Sequence, residues 1–387
     1  MTQFPWSEQK NWRYHGNAMV PMARRLLLRE KGRLFVTIGA VGATVCLLLF
    51  LFGVYEGVKD GVTRYVHTTD ADLWICQKNA NNLLKSSSYL PAGIVNEIAT
   101  IDGVAVAAPL SRLFTTATVG GRTTSTLFIF GFDPSRKLGA PRTLTAGTTE
   151  LRPHEIVLDR TFAAEYRLGL GTTVDLQGVP FRVAGLSDGT NTLVSQYAFV
   201  RGDDAEALLG VRGIISYCLV KVTRGADAGA VAQRIRDRLP NVAVFPRGEF
   251  EQNNLDQMDG VLPVFAAVGV VGALVGGLIV ALMLYGSILE RREDYAMLKA
   301  IGASNRYLAG LVMRQALLAS ILGFAWGALL AGMSNPLLKR LVPQLSLRYT
   351  WQAAFAVLVG TVAVGTLAAV IPLRVLRRVY PAEVFRA

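Results

Sequence analysis

Apolar residues run uninterrupted by charge in four places. Leu34–Gly53, Val264–Tyr285, Ala316–Met333 and Ala353–Pro372 contain no charged residue. Roughly 20 consecutive apolar residues span a bilayer core as a helix. These runs therefore predict four transmembrane α-helices, over residues 34–53, 261–289, 307–333 and 351–372. Residues 54–260 between the first two have the alternation and turn signals of a folded domain. The predicted fold class is a membrane protein with four transmembrane α-helices and a large α+β extracytoplasmic domain between the first and second.

Helical spacing continues past the first span. Leu51, Val54, Tyr55, Val58, Val62, Tyr65 and Val66 recur at three- and four-residue intervals. Phe250, Asn254, Leu255, Met258, Val261 and Leu262 do the same before the second span. The two extensions predict an antiparallel stalk; frayed helix ends are the other reading. Inside the domain, strands are expected at Ala71–Cys76, Val104–Thr116 and Thr123–Phe130, with Gly120-Gly121 as a turn. A second set follows at 155–158, 173–176, 181–184, 197–200, 215–222 and 242–245. Helices are expected at 91–101, 160–168 and 228–239. This order suggests a split sheet with an inserted β-rich subdomain.

Charge orients the chain. Residues 54–260 hold 21 Lys+Arg and 22 Asp+Glu, and the rest of the chain 19 basic and 6 acidic residues. The basic excess flanks the apolar runs, which argues against nucleic-acid binding. Basic residues crowd the N-terminus (Arg24, Arg25, Arg29, Lys31, Arg33), the segment between the second and third spans and the C-terminal tail. The positive-inside rule puts all three in the cytoplasm. Residues 1–33 then form a cytoplasmic basic N-terminus with an interfacial helix from Met19 to Arg33, 334–350 a short outer loop, and 373–387 a basic cytoplasmic tail. Both termini are then expected in the cytoplasm.

Several chemistries are absent from the sequence. It has no phosphate-binding G-x-x-x-x-G-K-[ST] loop, no G-x-S-x-G elbow, and no Cys or His at metal-ligand spacing. No catalytic, cofactor-binding or metal residue is assigned. Cys76 and Cys218 fall in expected strands. They can approach if those strands pair, so a disulfide and two unpaired cysteines both stand open. Gly272 and Gly276 form a G-x-x-x-G in the second span, and Gly323 and Gly327 another in the third. Gly39 and Ala43 are a weaker small-residue pair in the first. Such spacing favours close helix packing, within one chain or between two.

The most informative stretch is residues 290–306, a charged segment between two spans. Glu290, Glu293 and Asp294 come early and Lys299 late, which suits a helix dipole. Gly302 can end the helix and Ser304 cap the next. Tyr295, Leu298 and Ile301 share a face. That face is expected to point outward, to a partner or to lipid headgroups.

Glu290-Arg291-x-x-Asp294-Tyr295-x-x-Leu298-Lys299-Ala300-Ile301-Gly302-Ala303 resembles the signature of the MacB-type family of ABC transporter permeases, which has an FtsX-like permease domain. The family's Glu, Ile and Arg stand here as Asp294, Tyr295 and Lys299. The closing residues 380–386 resemble its D-P-x-E-A-L-R ending. Asp70–Trp74, Phe130–Pro134 and Leu298–Leu308 look most like the DevC-type permease of the heterocyst glycolipid exporter. The resemblance implies a homodimer working with a separate ABC ATPase subunit that holds ATP and Mg, so this chain would carry no cofactor. It implies that residues 290–306 are a coupling helix docked in the ATPase. It further implies a periplasmic membrane-fusion adaptor and an outer-membrane channel. Export of an amphiphilic or lipid-like cargo is the leading expectation. The same family plan also serves a non-transporting regulator of a cell-wall hydrolase and a lipoprotein-releasing permease.

Overall fold

The computed structural model describes residues 31–83, 86–191, 196–256, 258, 260, 262–300, 302–341, 345 and 347–377. The interfacial helix expected within 1–33 lies largely outside them, as do Ile301 and the closing motif at 380–386. The chain forms two compact units. One is a large domain of Phe50–Ala267 with Ser334–Thr350; the other is a helical unit.

Helix α1 runs from Lys31 to Thr68 without a break, carrying on past the first span along the apolar spacing expected at 54–66. Its later stripe buries Val54, Val62, Tyr65 and Val66. The helix stops at two threonines whose hydroxyls satisfy final carbonyls. Thr68 Oγ1 donates to Arg64 O at 2.7 Å and Thr69 Oγ1 to Tyr65 O at 2.6 Å.

The large domain then follows as β1 (Leu73–Gln77), β2 (Leu90–Pro91), α2 (Ile94–Ala99), β3 (Val104–Val119), β4 (Arg122–Phe132), β5 (Leu144–Gly147), β6 (Glu155–Asp159) and α3 (Arg160–Glu165). Next come β7 (Thr173–Leu176), β8 (Val179–Ser187), β9 (Gln196–Arg201), α4 (Gly202–Leu209), β10 (Ile214–Ile215) and β11 (Tyr217–Val222). It closes with α5 (Ala228–Arg238), β12 (Val242–Pro246) and α6 (Arg247–Asp256). Ten strands make one sheet in the order β12-β1-β11-β3-β4-β9-β6-β8-β5, with β7 pairing to β3 and β8. The inserted region thus has no sheet of its own. It extends the main sheet through the long β3–β4 hairpin, whose turn uses Gly120 and Gly121 at φ +54° and +77°.

The sheet supports three cores. One face is aromatic: Trp74, Phe130, Phe132, Tyr197, Phe199, Tyr217 and Phe250 are all buried there. Tyr65 of α1 joins them, stacked on Phe130 at 4.4 Å between centroids, with its hydroxyl donating to Gly139 O at 2.8 Å. The opposite face packs Leu73, Ile75, Cys218 and Val220 against Val95 and Ile98 of α2 and Val231 and Ile235 of α5. The inserted region has its own core around Ile129, Ile156, Phe162 and Phe181.

The register excludes the Cys76–Cys218 disulfide. β1 and β11 do pair, but Ile75 stands opposite Cys218. Neighbouring residues on a strand point to opposite faces. Cys76 therefore lies in the aromatic core and Cys218 in the core beneath α2 and α5. Both are free, and burial pushes both thiols up to about 12.

The helical unit is built from α7 (Leu262–Glu290) from Val268 on, α8 (Arg292–Ala300), α9 (Asn305–Leu341) as far as Met333, α10 (Trp351–Ala368) and α11 (Val370–Arg377), together with the start of α1. Among the described residues four helices are long and apolar enough to cross a membrane, the fourth running Trp351–Arg374 across the α10–α11 junction. The return to the second span is interrupted, since α6 ends at Asp256 and α7 begins at Leu262. It still meets α1 at two levels: His67 Nδ1 lies 3.3 Å from Glu251 Oε1, and Tyr55 packs edge-on against Phe265. Helix α9 continues through Pro336 into the expected outer loop. The remainder of that loop lies on α1: Arg348 N–H donates to Gly53 O at 3.1 Å, its guanidinium pairs with Asp60, and Leu345 and Leu347 pack with Val54.

Candidate functional site

The segment between α7 and α9 is built by local rules. Helix α7 ends at Glu290, and one turn residue, Arg291, separates it from α8. The Tyr295 N–H returns to Arg291 O at 3.0 Å. Glu293 and Asp294 occupy the first turn of α8 and Lys299 the last, each at the dipole end that favours it. At the C-terminus Gly302 takes φ +96°. Its N–H donates to Lys299 O at 3.0 Å, and the Ala303 N–H donates to Leu298 O at 2.9 Å. This pair of bonds is a Schellman motif. Ser304 caps α9, its Oγ accepting the Tyr307 N–H at 3.2 Å.

The expected outward face points inward. Tyr295 is 5% exposed and belongs to a core with Leu284 and Ile288 of α7 and Leu308 and Val312 of α9. Leu298 packs against the same core. The physical reason is proximity: the ends of α7 and α9 offer apolar surface that covers the stripe without any partner. The face that remains outside carries Arg292, Glu293, Asp294, Met297 and Ala300, with Glu290 just before it. Met297 is 58% exposed. Its signal in the sequence was being the one large apolar residue off the Tyr295–Leu298 stripe. Arg291 and Lys299 are half-buried at the edges, and burial lowers the Lys299 ammonium from its ordinary value. Gly302 is exposed. Among the described residues no cluster of His, Cys, Asp or Glu could hold a metal ion.

Several glycines of the spans lie at helix crossings within this chain. A Cβ on Gly327 would stand 2.5 Å from Gly42 O and 2.7 Å from Val45 Cβ. One on Gly323 would collide with Val41. A Cβ on Gly276 would come within 3.1 Å of Thr44, whereas one on Gly272 would only touch it at 4.0 Å. On α1 the close approach belongs to Gly42, and Gly39 faces open space. The seams thus join α7 and α9 to α1.

Comparison with known proteins adds the following. The family model for the MacB-like periplasmic core domain matches residues 34–238. The model for the FtsX-like permease C-terminal matches residues 266–381. An uncharacterized ABC transporter permease of Mycobacterium tuberculosis is 27% identical over 371 residues, covering 95% of this chain and 99% of its own. Another, from Mycobacterium bovis, is 25% identical over 347 residues, covering 86% and 91%. Among solved structures, the periplasmic region of MacB from Actinobacillus actinomycetemcomitans aligns at a TM-score of 0.40 and 14% identity, over 48% of this chain and 94% of that one.

Proposed function

Because the chain belongs to the MacB-like periplasmic core domain family and is an ABC transporter permease of the MacB/FtsX type, we propose that it is the permease subunit of an exporter for an amphiphilic or lipid-like cargo. In this reading it works as a homodimer in an inner membrane, with both termini cytoplasmic. ATP and Mg belong to a separate ATPase, and this chain performs no catalysis. An adaptor and an outer-membrane channel complete the path, in the manner of a DevC-type system.

The observation that carries the reading is α8. It is capped at its C-terminus, held on its inner side by Tyr295 and Leu298, and left with a charged face around Met297. A helix so anchored can pass a push from a docked ATPase into α7 and α9 without deforming. Helix α1 supports the second half of the path, because it runs from the first span to the aromatic core of the large domain. The docking surface is therefore Arg292, Glu293, Asp294 and Met297, and Tyr295 acts as its anchor.

Exposing Met297→Glu together with Glu293→Lys to the ATPase tests this. The doubly substituted permease should keep its size-exclusion profile and lose at least tenfold of the ATPase on co-purification. Undiminished co-purification would overturn docking through this face. A non-exporting version, in which the same motion regulates a wall hydrolase, predicts a different companion for the large domain. Recovery of an adaptor in a membrane pull-down supports export, and recovery of a hydrolase overturns it.

A further inference from the structure

In the loop at 133–143, after β4, Asp133, Ser135 and Arg136 spend their side chains on local structure. Asp133 Oδ1 accepts from the Ser135 N–H at 3.0 Å and from its hydroxyl at 2.7 Å. Arg136 pairs with Asp133 and donates to the Ala107 carbonyl. Leu138 is buried, and Gly139 O holds the Tyr65 hydroxyl. Two charged side chains are left over. Lys137 and Arg142 are exposed, and neither has an ion-pair partner among the described residues.

Lys137 also sits at φ +56°. A side chain in the left-handed region carries strain that glycine would not. The turn therefore holds the lysine backbone in a fixed, strained conformation beside a cavity.

Both cations line one cavity of about 330 Å³. Pro134 and Ala140 are its accessible apolar lining, backed by the buried Phe132 and Pro141. A second cavity of about 220 Å³ shares Thr68, Pro141 and Arg142 with the first and adds Arg64 and Thr143. Three carboxylates stand on the rims. Asp70 is held by Lys221 at 2.8 Å and Asp188 by Arg160 at 2.9 Å. Glu150 alone of the three has no ion pair among the described residues. The uncommitted charge is thus two cations against one anion, beside apolar surface.

We propose that this double cavity binds the anionic headgroup of an amphiphile. Lys137 and Arg142 meet the phosphate or carboxylate, a pairing that guanidinium makes with two parallel bonds. Pro134 and Ala140 meet the first part of the apolar chain. The inference rests on the reading of the large domain as the part that handles cargo, and it names the cargo's chemistry.

The test uses the full-length permease in phosphatidylcholine nanodiscs, without ATPase, titrated calorimetrically with decyl phosphate, decanoate and inorganic phosphate. Saturable binding of decyl phosphate or decanoate is expected, at least tenfold weaker in Lys137→Gly and in Arg142→Gln. The tighter of the two identifies the headgroup. Lys137→Gly relieves the backbone, so its thermal midpoint should equal or exceed that of the unsubstituted chain. Failure of both amphiphiles to bind, or equal binding by both variants, overturns the site. Inorganic phosphate binding as tightly as decyl phosphate removes the apolar wall and overturns the amphiphile. The assay needs neither ATPase nor transport, so its failure leaves docking at α8 untouched, and loss of docking leaves this site untouched.

Discussion

The large domain and the helical unit solve the packing problem in opposite ways. The domain fills its centre with rings: Trp74 stacks on Phe250 at 4.8 Å between centroids, and Tyr65, Phe130 and Phe199 lie alongside. The helical unit gains contact by omitting side chains, at Gly42, Gly323 and Gly327. In water, burying a large apolar surface is itself the driving force. Between helices in lipid that force is missing, and close backbone approach replaces it. The difference predicts that the domain is sensitive to removal of atoms and the helical unit to their addition.

The largest expected effect is Trp74→Ala. Deleting this fully buried ring should destabilise the domain by about 3–5 kcal/mol, read as a lower denaturation midpoint with the helical content of the spans retained. Next is Gly327→Val, which should cost about 1–3 kcal/mol by overpacking, against less than about 0.5 kcal/mol for Gly272→Ala. Thermal unfolding in detergent separates them, and equal effects would break the seam model. Gly302→Ala comes third, at about 1 kcal/mol, because φ +96° is strained for alanine; its midpoint should fall while Ala300→Gly at the exposed neighbour moves it less. The smallest effect is chemical. Reductant should leave the electrophoretic mobility and thermal midpoint unchanged, since Cys76 and Cys218 are on opposite faces. A mobility shift abolished by Cys76→Ser would refute the register.

Sequence signals were legible where they are local. Gly120-Gly121 announces the β3–β4 turn, and Gly302 and Ser304 announce an end and a start, because each depends on residues within one turn. The continuation of α1 was legible from its apolar spacing. What depends on distant contacts was not. The Tyr295–Leu298 stripe shows that one side of α8 is covered but not by what, and α7 and α9 cover it first. The Cys76–Cys218 question turned on a register offset of one residue, which strand composition does not encode. Helix α4 is only about two turns long and its buried positions, Asp204 and Ala205, include an acid, so no apolar stripe marks it in the sequence. The seat of Arg348 on Gly53 and Asp60 joins residues almost 300 positions apart and leaves no local trace.

Tyr65 has a practical meaning for where the large domain begins. It belongs to the helix of the first span by sequence, yet it is 3% exposed and its ring completes the stack with Phe130. A soluble version cut at β1 would carry a hole bordered by Trp74, Phe130, Tyr197 and Phe199, and would leave Gly139 O without its donor. The domain's first residue, in folding terms, is therefore set by a tyrosine upstream of its first strand. Any excised fragment meant to fold alone has to keep the last turns of α1.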